Sequence, residues 1–223
     1  MKRAVFMALL AGLVLLSASG AYADTVDIGL QFNGVGPVTL VGTGTGSASA
    51  SGILAGWNIS VIALGSPPNP EPILEGLTVD ATNISKSLNS LQVYVSEIGL
   101  SSPAGISTFL SGFTSNFITP GVASVTESTY VGPGAPFATT VLLSSFKFTG
   151  PISVAQSQTF GATTPFLPAG YSETEVFDIS ATGSGTTSDT ITISSAPEPG
   201  TLTLFGSGLI GLAGLLRRKL ALV

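Results

Sequence analysis

The sequence predicts an all-β fold, an antiparallel β-sandwich or barrel-like ectodomain, for residues 24–195. Three observations carry that expectation. Short runs alternate apolar and polar residues with a period of two, as a strand with one buried face does. Segments rich in Gly, Pro and Asn interrupt those runs at short spacing, as antiparallel connections require. No long amphipathic helix intervenes, and a parallel sheet would need one between strands.

At the amino end, MKRAVFMALLAGLVLLSASGAYAD has the three-part build of a secretory signal. Lys2 and Arg3 form the charged start and Ala4 to Leu16 the apolar core; Ala21 and Ala23 are the small residues a signal peptidase reads. Cleavage there leaves Asp24 as the first mature residue, so the body is expected to leave the cytoplasm.

The strand runs follow in order. SLQVYVSEI sets Leu91, Val93 and Val95 against Gln92, Tyr94 and Ser96, and SSFKF sets Phe146 and Phe148 opposite Lys147. ETEVFDIS pairs Phe177 with Ile179, and DTITIS pairs Ile191 with Ile193. Ile84, Leu88 and Leu91 fit one helical face, so a short helical turn is expected ahead of the strand at Leu91. Breaks are expected at GTGTGSASASG (42–52), GSPPNPEPILEG (65–76), GPGAP (132–136) and ATGSGTTS (181–188).

Composition removes whole classes of chemistry. The chain has no Cys and no His, which excludes disulfides, thiolate nucleophiles, Ser-His-Asp triads and His-ligated metals. Of its seven bases only Lys86 and Lys147 lie in the body, whereas all twelve acids fall between Asp24 and Glu198. Two bases against twelve acids give that stretch a net charge of −10, which disfavours nucleic acid as a partner.

Candidate chemistry therefore rests on carboxylates. Glu173 and Glu175, two residues apart, could serve as the acid pair of a glycoside hydrolase. The simpler expectation has them alternate with the inward pair Phe177 and Ile179 and form the solvated face of an edge strand. Asp24, Asp27, Asp178 and Asp189 could converge on calcium, but no loop has the density of acids that a calcium loop needs. Trp57 and the tyrosines could stack on sugars, although a lone Trp in AGWNISVIAL reads as core. No catalytic, cofactor-binding or metal-binding residue is assigned.

At the carboxy end, Pro197-Glu198-Pro199 precedes Thr201 to Leu216, a run without charge, and then Arg217, Arg218 and Lys219. As a helix that run spans about 24 Å, short for a bilayer core of about 30 Å unless the arginines snorkel. The basic end points to the cytoplasm and the body to the outside. Gly206-Ser207-Gly208-Leu209-Ile210-Gly211 spells a dinucleotide fingerprint, but no second strand or ribose-binding acid follows it. The second Pro-Glu-Pro, at Pro70-Glu71-Pro72, has neither apolar run nor basic cluster behind it.

Tripeptide, apolar run and basic end together resemble the PEP-CTERM sorting signal of exported bacterial proteins. The resemblance implies Sec export, transient anchoring in the inner membrane, and processing near Pro-Glu-Pro by an exosortase, in Gram-negative bacteria that make extracellular polysaccharide. Three segments result: a signal peptide (1–23), a β-rich extracytoplasmic domain (24–195) and a sorting signal with one transmembrane helix (196–223). Expected partners are signal peptidase, exosortase and the inner membrane, with extracellular polysaccharide a candidate; no cofactor is expected. The leading expectation is a non-catalytic envelope or matrix protein. The alternatives are a carboxylate-based polysaccharide enzyme and a calcium-dependent glycan-binding module.

Overall fold

The computed structural model describes residues 24–66, 72–103, 105–196 and 207–208. The signal peptide, Pro67 to Glu71 and nearly all of the sorting tail lie outside the described residues; within the tail only Ser207 and Gly208 are described, and both are helical. Among the described residues no helix is long and apolar enough to cross a membrane.

The body consists of twelve strands: β1 (Thr25–Phe32), β2 (Val35–Thr45), β3 (Ser47–Leu54), β4 (Trp57–Leu64), β5 (Ile73–Asn83), β6 (Asn89–Leu100), β7 (Thr108–Ile118), β8 (Val122–Gly132), β9 (Val141–Thr149), β10 (Gln156–Thr163), β11 (Tyr171–Ala181) and β12 (Gly185–Ser195). They form two six-stranded sheets, ordered β2-β1-β6-β11-β8-β9 and β10-β7-β12-β5-β4-β3. All the strand pairs are antiparallel. This is the sandwich that the alternating runs predict.

The core lies between the sheets and is built from the residues of the period-two runs. Leu91, Val93, Val95, Phe177, Ile179, Ile191 and Ile193 are all fully buried, as is Trp57 at the head of β4. Each fully buried aliphatic or aromatic side chain contributes about 1.5–3 kcal/mol of transfer free energy, so this interior is the main stabilising term. Phe148 is buried, while Phe146 is half-buried at the β9 edge. There its ring lies 5.9 Å from Phe160 of β10, closing the seam between the two sheets.

Three expectations about local structure are corrected. ISKSLNSL forms no helical turn: Lys86 and Ser87 are bends, and β6 begins at Asn89. GTGTGSASASG is not a break, because all but Gly46 belongs to β2 or β3. At Gly46 the chain leaves one sheet and enters the other, and the β2 and β3 backbones pass very close. A Cβ on Gly42 would lie 2.7 Å from the Ser49 carbonyl oxygen, and one on Gly44 would overlap that of Ser47. Glycine at alternate positions is what allows the crossing. Gly44→Ala is expected to cost about 1–3 kcal/mol, read as a lower urea midpoint with unchanged slope. Similarly, only Thr182 to Ser184 of the predicted 181–188 break lies outside strands, whereas GPGAP falls at the β8–β9 connection.

Candidate functional site

The strand β11 is central, not an edge: β6 lies on one side and β8 on the other. Glu173 and Glu175 are fully buried, so the expected solvated acid face does not exist. The reason is parity. Residues 173, 175, 177 and 179 are each two apart, so the glutamates share the face of Phe177 and Ile179 and point at the opposite sheet. Across β6, Glu173 pairs with Glu97 and Glu175 with Val95; across β8, Phe177 pairs with Glu127. Cross-strand partners share a face, so Glu97 and Glu127 also point inward, and both are fully buried.

Each interior carboxyl has a distinct surrounding. Glu97 accepts a hydrogen bond from the Ser66 amide. Glu173 accepts one from the Tyr171 hydroxyl at 3.3 Å, which also reaches the Ser102 carbonyl at 3.0 Å. Glu127 crosses the interior, its Oε2 accepting the Thr114 amide of β7 at 3.1 Å, and its Oε1 has no partner among the described residues. Burial first, and then the repulsion of Asp189, pushes the Glu127 carboxyl up to about 9.

Asp189 comes from the opposite sheet. The Thr187 hydroxyl donates to its Oδ2 at 2.6 Å, while Oδ1 has no partner among the described residues. Burial raises it to about 7 against that bond. Glu175 is the extreme case. Its Oε2 would lie 2.6 Å from a Cβ on Gly76 of β5, and the Gly76 backbone amide is the one polar group that favours its charged form. Burial and the neighbouring Glu173 hold it well above the usual carboxylate range. Glu127 and Glu175 therefore sit in the fold as neutral acids at pH 7, and Asp189 stands near its midpoint there.

The calcium set does not assemble. Asp189 faces the interior, whereas Asp178 is half-exposed on the outer face of β11. Asp24 is buried at the start of β1, its backbone tied to Ser66 and Gly46. Among the described residues no group of three acids could hold a metal ion. Trp57 is core, as expected.

The outer face of the β1-containing sheet carries residues that sequence alternation marks as outward but does not bring together. Gln31, Gln92, Asp178 and Thr126 are register partners on β1, β6, β11 and β8, and Lys147 of β9 continues the row. The Tyr94 hydroxyl donates toward Gln92 at 3.1 Å and Gln31 at 3.3 Å. Burial, then Asp178, then Tyr130 raises the Tyr94 phenol. The β8–β9 connection brings the Phe137 ring edge-on to Tyr94, with centroids 5.9 Å apart.

The sorting residues Pro197, Glu198, Pro199, Arg217, Arg218 and Lys219 lie outside the described residues, as do Ala21 and Ala23. The assignment of the tail rests on sequence, and the family model described as the PEP-CTERM protein-sorting motif matches residues 195–219. The chain carries a PEP-CTERM sorting motif. That motif implies export, membrane-anchored sorting and exosortase processing. The match covers the tail alone and leaves the β-body unassigned.

No curated protein sequence matches the chain. Among solved structures, the enzymatically active domain of tailspike protein 4 from bacteriophage CBA120 aligns at 12% identity and TM-score 0.33, over 64% of this chain and 20% of that one. The carbohydrate-binding module TmCBM61, solved with β-1,4-galactotriose, aligns at 14% identity and TM-score 0.35, over 64% and 90%. The adhesin domain of Epf from Streptococcus pyogenes aligns at 12% identity and TM-score 0.38, over 80% and 64%. The chain thus spans one fifth of the tailspike's length, and likeness at these scores carries nothing about ligand or activity.

Proposed function

We propose that the chain is an exported, non-catalytic component of the cell envelope or extracellular matrix. In this reading signal peptidase cuts before Asp24, and the tail holds the protein in the inner membrane until an exosortase cuts near Pro197-Glu198-Pro199. The β-body is the delivered product, and extracellular polysaccharide is its partner. The observation that carries the sorting half is the motif at residues 195–219.

The non-catalytic half is supported by the burial of Glu173 and Glu175. The two carboxyls proposed for glycoside hydrolysis have no exposed surface, so neither reaches a glycosidic bond in the folded body. The test is the mass of the mature carboxy-terminal peptide from native envelope and medium fractions. A terminus near Pro199 or Gly200 is expected, and it should shift to the intact tail when the exosortase is deleted. A terminus still carrying Arg217 and Arg218 in every fraction, with the exosortase present, overturns the processing step.

A further inference from the structure

We propose that the outer face of the sheet β2-β1-β6-β11-β8-β9 binds an extended, uncharged glycan chain along the row Gln31, Gln92, Asp178, Thr126 and Lys147. The inference rests on the polysaccharide-partner reading above and gives that partner a place and a chemistry.

The row runs across five adjacent strands. At about 4.8 Å per strand it extends about 19 Å, a length suited to a short stretch of polymer rather than a single sugar. It presents two amides, a carboxylate, a hydroxyl and an ammonium. Gln31 already donates to the Gly36 carbonyl and both amide oxygens accept from Tyr94, which leaves each amide at least one further proton and one further lone pair to offer. A polymer of hydroxyl groups, each able to donate and accept, can satisfy such a row at every point. Gln31, Gln92, Asp178 and Thr126 are half-exposed and Lys147 is exposed, so all five are open to a ligand.

One flank of the row is aromatic. Tyr94 has its hydroxyl fixed toward both glutamines, and Phe137 is held against it. Phe137 is seated because Gly29 of β1 has no side chain: a Cβ there would lie 2.7 Å from the ring. The flank places an apolar surface beside a polar strip, the pairing that matches the C–H and O–H faces of a sugar ring.

Charge selects the class of glycan. Asp178 and Lys147 balance along the row, while in the stretch from Asp24 to Glu198 the acids outnumber the two bases even with Glu127 and Glu175 protonated. A polyanion would be repelled by that field and a neutral chain would not. A protein partner fits less well, because the centre of a protein interface is apolar and depleted of charge, and this strip is polar throughout.

The experiment uses the full chain in mild detergent against an array of linear tetra- to hexasaccharides that are neutral, carboxylated or amino-substituted, followed by calorimetry with the best neutral hexasaccharide. Neutral probes are expected to bind best. Gln92→Ala and Asp178→Ala should each weaken the affinity about tenfold, and Tyr94→Phe severalfold, with thermal stability unchanged. Thr192→Ala, on the outer face of the other sheet, should leave affinity as it was. If no glycan binds, the polysaccharide-partner reading and this inference both fail. If a neutral glycan binds but Gln92→Ala and Asp178→Ala leave its affinity unchanged, the partner stands and this face is overturned. Preference for carboxylated probes also overturns the inference.

Discussion

Thermal stability of the folded body is expected to fall as pH rises from 5 to 8, opposite to ordinary acid denaturation. In the unfolded chain Glu127, Asp189 and Glu175 ionise near pH 4. In the fold Glu127 keeps its proton to about pH 9 and Asp189 to about pH 7, and Glu175 is displaced in the same direction. Below pH 4 both states are protonated, and these groups make no difference. Above it the unfolded chain loses protons that the native state retains, so stability drops by about 1.4 kcal/mol per pH unit for each such group.

Between pH 5 and 8 Glu127 alone would account for about 4 kcal/mol, and Asp189 adds to the slope until about pH 7. For a domain of this size that corresponds to a fall in Tm of roughly 10 °C. No described base offsets the loss, since Lys86 and Lys147 are both exposed. Calorimetric scans at pH 5, 6, 7 and 8 at fixed ionic strength check it. A Tm that rises across that range would mean that the interior carboxyls are ionised in the fold.

The strands that are legible in the sequence are those whose side chains report burial directly. Leu91, Val93, Val95, Phe177, Ile179, Ile191 and Ile193 alternate, and all seven are fully buried. The stretch from Gly42 to Gly52 carries the same structural role without the signal. Its alternation is between glycine, serine, threonine and alanine, and its small residues serve a backbone crossing that only the tertiary structure creates.

The interior acids escape the sequence for a different reason. Extending 91, 93, 95 by one step gives Glu97, and extending 179, 177 backward gives Glu175 and Glu173, all on the inner face. The parity is correct as it stands. The expectation that charge faces water overrode it, and that expectation fails where the carboxyl can remain protonated. The outer row is illegible for a third reason. Gln92, Asp178 and Thr126 become neighbours only through the pairing of β6, β11 and β8, which are far apart in sequence.

Replacing Glu175 by leucine is expected to stabilise the protein at pH 7 by about 1–4 kcal/mol, because it removes the cost of keeping a proton that the unfolded chain has already lost. Glu175 is fully buried, its nearest described surroundings include Phe177 and the backbone of Gly76, and the contact with the Gly76 amide is the one polar interaction described for it. Leucine is of similar length, and it removes both the buried oxygens and the cost of holding a proton at neutral pH. Glu175→Gln separates the two contributions. It abolishes the ionisation but leaves a buried amide, so it should flatten the pH dependence as leucine does and stabilise less. At pH 4, where the unfolded carboxyl is largely protonated too, the gain from leucine should shrink to the hydrogen-bonding part alone. Urea titrations of the three proteins at pH 4 and pH 7 resolve these contributions. If Glu175→Leu is less stable than the parent at both, the contacts of the carboxyl outweigh the cost of its burial and the prediction fails.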